Sequence, residues 1–255
     1  MIGGSAMNIL LSRILTYLNG TLFHDYYYKI CTFIIFNYLD IEDMSEDEFL
    51  MKGSFKKEDL YSFMSLLGFT DYESFKEKLV LDHQKRANQI KVRMLGIQGN
   101  QLLSNMEKSC TDEEMMTLIE ELCQKMYKAK RVVIFGALYP LSISIELQTD
   151  MITFGKPFIQ YHDYDPIILD ENDVAIVISA TGRYLEGFRK TKESVKIDKA
   201  STYLITQNKK YLKTEASHNC SVIYLPGKYD SINFNYQVMT LCDLIRLQYF
   251  KQYYL

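Results

Sequence analysis

The run Asp173-Val174-Ala175-Ile176-Val177-Ile178-Ser179 constrains this chain more than any other stretch. It is apolar at every inner position, so it lacks the alternation of a strand with one wet face. It is also too short to be an amphipathic helix. A run of this kind is a strand buried on both faces, as in a parallel sheet covered by helices. Such a strand needs neighbours, and the text after Lys130 supplies them. Arg131–Phe135 ends at Gly136, and Pro157–Gln160, Ser201–Thr206 and Ser221–Leu225 are further short strands. Helical text separates them at about Pro140–Phe154, Leu185–Lys196 and Lys209–Ser217, and Phe234–Tyr253 closes the chain as a long helix. Strands alternating with helices predict a five-stranded parallel sheet with right-handed crossovers, a three-layer α/β domain.

The period before that point is different. Leu10, Leu11, Ile14, Leu15 and Leu18 recur at helical spacing within Asn8–Leu18. Asp25 is placed to cap a helix through the aromatic stretch to about Tyr38, and Ser45 to begin a short one ending near Met51. Lys56–Leu67 is a helix with Leu60, Phe63, Met64 and Leu67 on one face, and Gly68 ends it. Asp71 caps Tyr72–Leu81. These spacings predict an all-α domain over residues 1–82, with a helix-turn-helix near Ser45–Leu67. Residues 83–128 read as a helical linker, broken near Gly96 and Gly99 and restarted by Thr111 with Glu114. The α/β domain occupies 129–255.

Composition narrows the function classes. The chain has 255 residues, 47% apolar and 24% charged, as in ordinary globular proteins. Its most apolar stretch, Tyr26–Leu39, is interrupted by Lys29 and is too short to span a bilayer. Met1–Ala6 lacks the basic start of a signal peptide and is set aside from fold reasoning. The chain is therefore expected to be cytoplasmic and not membrane-associated. Cys31, Cys110, Cys123, Cys220 and Cys242 are odd in number and scattered, and His24, His83, His162 and His218 are isolated. Reduced thiols are expected, with no metal and no cofactor. The net charge of −3 argues against a general nucleic-acid binder, though not against a local DNA-binding patch.

Two strand-to-loop transitions bear on chemistry. In Phe135–Ser142, Gly136 permits a sharp turn before a helix whose first N–H groups suit a phosphate; an ordinary βα turn reads equally well. In Ile178–Glu186, the hydroxyls of Ser179 and Thr181 precede Gly182 and a helix. Such a set can surround an anion without a metal, or serve only as turn and cap. It follows the strongest strand, at the carboxyl end where open α/β sheets bind ligands. An anion is expected on Ser179, Thr181 and the Gly182 N–H.

With these residues in view, the chain resembles a known architecture. Residues 131–250 resemble a sugar isomerase (SIS) domain in the Phe135–Ser142 loop, in Val177-Ile178-Ser179-Ala180-Thr181-Gly182, and in Leu204-Ile205-Thr206. Residues 8–82 resemble the helical domain of RpiR-type transcriptional regulators in Asp25-Tyr26-Tyr27-Tyr28, Asn37-Tyr38, Phe63–Phe69 and Phe75-Lys76. The first SIS loop usually has a second glycine and a serine where this chain has Leu138 and Pro140. In the second loop Thr181 stands for a serine and Tyr184 for a threonine. Lys56, Asp59 and Ser62 occupy positions where the family's recognition helix carries other residues. Residues 1–90 hold 9 Lys and Arg against 13 Asp and Glu.

The resemblance implies a homodimeric, non-enzymatic regulator of carbohydrate metabolism, with no catalytic residues, responding to a phosphorylated sugar. The effector would meet Gly136, Ser142, Ser179, Thr181, Gly182, Arg183 and Tyr184, and DNA would be bound weakly through Lys56, Lys57, Tyr61 and Ser62. Two alternatives remain: a regulator-like protein that binds a ligand or partner without reading DNA, and a sugar-phosphate isomerase. For the last, Glu186 and Asp243 are the available acids. The apolar face of the last helix (Met239, Leu241, Leu244, Ile245 and Leu247) and the aromatic helix Tyr26–Tyr38 carry the expectation of a dimer.

Overall fold

The computed structural model describes residues 9–161, 166–191, 194–214 and 220–255. Asn8, His162, His218 and the segments 192–193 and 215–217, which carry parts of the expectations above, lie outside them. The chain divides into two compact units, Met1–Arg93 with Ile152–Gly155, and Met94–Met151 with Lys156–Leu255.

The first part of the chain is helical: α1 (Leu10–Gly20), α2 (Tyr26–Phe36), a 3-10 turn (Asp40–Asp43), α3 (Glu46–Gly53), α4 (Lys57–Leu67) and α5 (Tyr72–Leu95). Local chemistry sets the boundaries. Asp25 accepts from the Tyr28 N–H at 2.8 Å, and Asp71 from the Ser74 N–H at 2.8 Å. Ser45 and Glu48 form a reciprocal capping box at α3. Gly68 closes α4 with φ 91°, a conformation that favours glycine. Asp82 is buried yet satisfied, accepting from the Leu10 N–H at 2.7 Å and pairing with Lys78. Ile14, Ile34, Phe49, Leu60, Met64 and Phe75 form the centre of the core. One feature differs from the sequence reading: α5 runs unbroken across residue 82, where a domain edge was expected. Nothing in Leu81–His83 stops a helix, and α5 buries Asp82 and Arg86 there while Leu81 and Lys85 stay exposed.

The remaining elements are α6 (Gly99–Ser104), α7 (Asp112–Lys128), β1 (Arg131–Gly136), α8 (Leu138–Ile143), α9 (Ile145–Thr153), β2 (Phe158–Gln160), β3 (Ile167–Ile168), β4 (Asp173–Ile178), α10 (Arg183–Thr191), β5 (Val195–Lys196), β6 (Ser201–Thr206), α11 (Tyr211–Thr214), β7 (Cys220–Tyr224) and α12 (Ser231–Tyr253). Five strands form one parallel sheet in the order β2-β1-β4-β6-β7. β4 is buried at all six positions, as its composition requires. Val133, Phe135, Val177 and Leu204 pack on one face with Leu185 of α10 and Tyr211 of α11. A bidentate pair from Arg131 to the buried Asp173 (3.0 and 3.1 Å) fastens the first residues of β1 and β4.

The structure corrects three details. The helical text from Pro140 to Phe154 is two helices that meet at Ser144. Val195–Lys196, expected to end a helix, is a strand, paired with β3 in a second parallel sheet. The face of α12 expected to seek a partner is used within the protomer: Leu241, Leu244, Ile245 and Leu247 are at most 1% exposed. Each buried aliphatic side chain contributes about 1.5–3 kcal/mol. Met239, the fifth residue of that expected face, stays exposed, and with Ile232 and Tyr236 it forms one stripe at i, i+4, i+7.

None of the five cysteines forms a disulfide, and four are buried. Burial pushes the Cys31 and Cys242 thiols up to about 12, which keeps them protonated and inert. Among the described residues no group of three or more His, Cys, Asp or Glu could hold a metal, and no helix is long and apolar enough to cross a membrane.

Candidate functional site

The sheet order reverses at β1: the chain leaves β1 for β2 on one side and returns to β4 on the other. Strand crossovers diverge there, leaving a crevice at the carboxyl ends where open α/β sheets take ligands. Register places Gly136 beside Ile178, Ile178 beside Ile205, and Ile205 beside Ile223. The loops after β1, β4, β6 and β7 therefore share one edge.

The turn after β4 is the most structured of these. The Ser179 N–H donates to Ile205 O at 3.0 Å, which continues the ladder, and the Gly182 N–H folds back to Ser179 O at 3.0 Å. This second bond corrects the expectation that the Gly182 N–H meets a ligand, because it already closes the turn. Gly182 has φ 76°, and a Cβ there would fall 2.0 Å from Tyr211 Cε2. Both the backbone and the space thus require glycine. Tyr211 is buried, and its hydroxyl donates to Glu186 Oε1 at 2.6 Å. Lys210 pairs with the same oxygen at 3.2 Å. Glu186, on the first turn of α10, thus ties that helix to the loop after β6.

The two hydroxyls act as caps while keeping a donor each. Ser179 Oγ accepts from the Tyr184 N–H and Thr181 Oγ1 from the Arg183 N–H, both at 3.4 Å, which are long, weak bonds. Arg183 Nε also donates to Thr181 Oγ1 at 3.2 Å. A hydroxyl that accepts an N–H can still donate its own hydrogen, so both can point a donor at an anion. The positive end of α10 lies behind them. The remaining expected residues are more dispersed. Arg183 is exposed and Tyr184 half-buried on α10, and Ser142 is exposed on the last turn of the six-residue α8. Pro140 lies close to Gly136, since a Cβ on that glycine would meet Pro140 Cβ at 3.3 Å.

Sequence reading missed the loop after β6. Gln207 N–H and the Thr206 hydroxyl both donate to Ala180 O at 2.9 Å, and Asn208 Nδ2 donates to Thr181 O at 3.0 Å. Residues 206–208 hold the peptides of the Ser179–Gly182 turn. The available signal was positional: Gln207 and Asn208 are a polar pair directly after an apolar strand, in the place Ser179 holds after β4.

The helical unit carries the other candidate surface. α3 and α4 are joined by Ser54, Phe55 and Lys56, with Ser54 in the left-handed region at φ 54°. Leu60, Phe63 and Met64 are buried as expected, while Lys56, Lys57 and Ser62 are exposed and Tyr61 is half-buried. Lys57 is not an unengaged cation: its ammonium pairs with Glu46 at 2.8 Å and lies over the Tyr61 ring. The Tyr61 hydroxyl donates to the other oxygen of Glu46 at 3.3 Å. The hydrogen bond to Glu46 holds the Lys57 ammonium above its ordinary pKa. Two of the four residues expected to meet DNA are thus engaged by one carboxylate of α3.

No protein-family model and no curated protein matches the chain. Among solved structures it is similar to the NanR protein of Vibrio vulnificus complexed with ManNAc-6P. That match has 12% identity and a TM-score of 0.42, covering 95% of this chain and 92% of that one. It is also similar to the sugar isomerase domain of an RpiR transcription factor from Sphaerobacter thermophilus, at 14% identity and TM-score 0.42, covering 65% and 90%. A putative phosphosugar isomerase involved in capsule formation from Bacteroides fragilis matches at 19% identity and TM-score 0.43, covering 68% and 91%. With TM-scores below 0.5 in each of these, the functional reading rests on the residues of this chain.

Proposed function

We propose that this protein is a non-enzymatic regulator whose α/β unit senses a phosphorylated sugar at the Ser179–Gly182 turn and whose helical unit contacts DNA weakly through α4. One observation carries the ligand half of this reading. At the carboxyl edge of the buried central strand, beside the reversal of strand order, two hydroxyls and a left-handed glycine open a helix. Ser179 and Thr181 donate hydrogen bonds to the phosphate, the α10 terminus adds its dipole, and Arg183 supplies a charge-assisted contact when it swings from Thr181. Glu186, on the first turn of α10, is engaged by Tyr211 and Lys210 in joining α10 to the next loop, which favours sensing over proton transfer.

DNA contact would fall to Lys56, Lys57, Tyr61 and Ser62 in a homodimer joined through the Ile232–Tyr236–Met239 stripe. A second reading, a regulator that binds a ligand or protein partner without DNA, is favoured by Glu46. That carboxylate neutralises Lys57 on the face that would approach phosphates, in a region where acids outnumber bases. The test of the ligand half is thermal unfolding against a panel of sugar phosphates, with the Thr181→Val variant alongside. Stabilisation of the native chain that vanishes in the variant supports the site; an equal shift in both moves it elsewhere. Titration against the DNA upstream of its own coding region at low and moderate salt separates the regulator from the DNA-free reading.

A further inference from the structure

Gln207 lies one strand over from the Ser179–Gly182 turn, and its backbone N–H is bonded to Ala180 O within that turn. Its side chain has no such partner. The residue is 2% exposed, and neither Nε2 nor Oε1 has a hydrogen bond. Among the described residues no other side chain has two orphaned buried polar atoms. Burying an unpaired polar group costs stability, whereas an apolar side chain of the same length would fill the space without that cost. A carboxamide kept under these conditions calls for a partner that is absent from the bare chain.

The surroundings show where that partner would enter. The carboxamide lies against Gly227 in the loop after β7, on the same sheet edge as the turn; a Cβ at Gly227 would fall 1.7 Å from Nε2. Glycine there makes room for the amide. Two residues on, Tyr229 holds φ 60°, a left-handed conformation unfavourable for a bulky side chain. The segment that covers the carboxamide therefore contains a strained residue, and strain of this kind is commonly stored at ligand clamps.

We propose that Gln207 reads the uncharged, hydroxyl-bearing part of the ligand whose anionic group sits at the Ser179–Gly182 turn, and that the Gly227–Tyr229 segment shifts to admit it. This rests on the phosphosugar reading above. A primary carboxamide offers an acceptor and two donors side by side, which matches neighbouring hydroxyls of a polyol: Oε1 accepts from one and Nε2 donates to the next. Inorganic phosphate would use the turn and leave Gln207 unpaired, so it contributes nothing to the affinity for phosphate alone.

The experiment uses the full chain and the Gln207→Met variant, which keeps length and removes both polar ends. Binding of inorganic phosphate and of a panel of hexose and pentose phosphates is followed by calorimetry, with thermal unfolding of each apo protein alongside. The expected result is unchanged phosphate binding, sugar-phosphate affinity lower by roughly tenfold or more from the loss of two hydrogen bonds, and an apo melting temperature equal to or above that of the native chain. Equal loss of sugar phosphate and inorganic phosphate would assign Gln207 to the turn's construction and overturn the proposal. So would a lower apo melting temperature, which would show that the amide supports the bare fold. Unchanged binding of both ligand types would overturn this inference and leave the phosphosugar reading standing. A native chain that binds neither would overturn both.

Discussion

The helical unit and the α/β unit treat their polar side chains in opposite ways. On α4, the groups placed to meet a partner are neutralised by a near neighbour: Glu46 takes both Lys57 and Tyr61. At the carboxyl edge of the sheet, Ser179 and Thr181 accept weak N–H bonds and keep a donor each, and Gln207 keeps a whole amide unpaired. A surface that satisfies its own charges has little electrostatic free energy left for binding. An edge that leaves donors unsatisfied in a buried setting gains most when a ligand arrives. The contrast is what favours the proposed placement of recognition in the α/β unit.

Two glycines offer the sharpest way to break that comparison. Gly182 and Gly68 both hold a positive φ, at 76° and 91°. At Gly68 an added Cβ meets nothing within 4 Å, whereas at Gly182 it collides with Tyr211. Gly182→Ala is expected to destabilise by about 3 kcal/mol or more, from backbone strain plus displacement of a buried ring. Gly68→Ala should cost about 1 kcal/mol, from the backbone alone. Urea unfolding of the two variants checks this; equal losses would remove the packing role assigned to Tyr211.

Thr181→Val sharpens the ligand side. In the native chain, a ligand at a hundredfold excess over its Kd should stabilise by about 2.7 kcal/mol. The variant should lose that shift while unfolding normally without ligand. On the helical side, Glu46→Gln should release Lys57 and Tyr61 and strengthen DNA binding. The slope of log affinity against log salt should steepen by roughly one phosphate. A variant that binds DNA no better than the native chain would leave α4 without a reading role and favour the DNA-free regulator.

The smallest effect concerns acid. Bonds from the Ser45 backbone and hydroxyl hold the Glu48 carboxyl below its ordinary 4.5, and the Ser74 N–H holds Asp71 below its ordinary 3.8. A carboxyl with a lowered folded pKa adds stability above its unfolded value and loses it as pH falls through the folded one. Helicity of the N-terminal part should therefore decline slightly as pH drops from 5 towards 3 (a window of about two units set by these ordinary values). Ser45→Ala should flatten part of that decline. A profile identical in variant and native chain would dissociate Glu48 from the capping box.

Much of this architecture was legible because it depends on local chemistry. Asp25, Ser45, Asp71 and Thr111 each precede a helix and cap it, and Gly68 ends one, because caps are made within four residues. The apolar run at β4 announced a strand covered on both faces, and the strand buries all six residues. The Ser179–Gly182 turn was visible for the same reason: it directly follows that run.

What the sequence alone could not decide involved choices between distant residues. The apolar face of α12 reads the same whether it packs on other helices of its own chain or on a second copy; tertiary packing against α6, α7 and α8 buried Leu241, Leu244, Ile245 and Leu247 and left Ile232, Tyr236 and Met239 outside. Lys57 reads as a cation for phosphate until α3 brings Glu46 to it from eleven positions earlier in the chain. Gly182 reads as a loop glycine until Tyr211 fills the space its Cβ would need, and Gln207 as an ordinary polar residue until Gly227 closes over its amide. In each case the sequence sets which groups are available, and burial and partner geometry, fixed only by the folded chain, decide which are satisfied and which are left for a ligand.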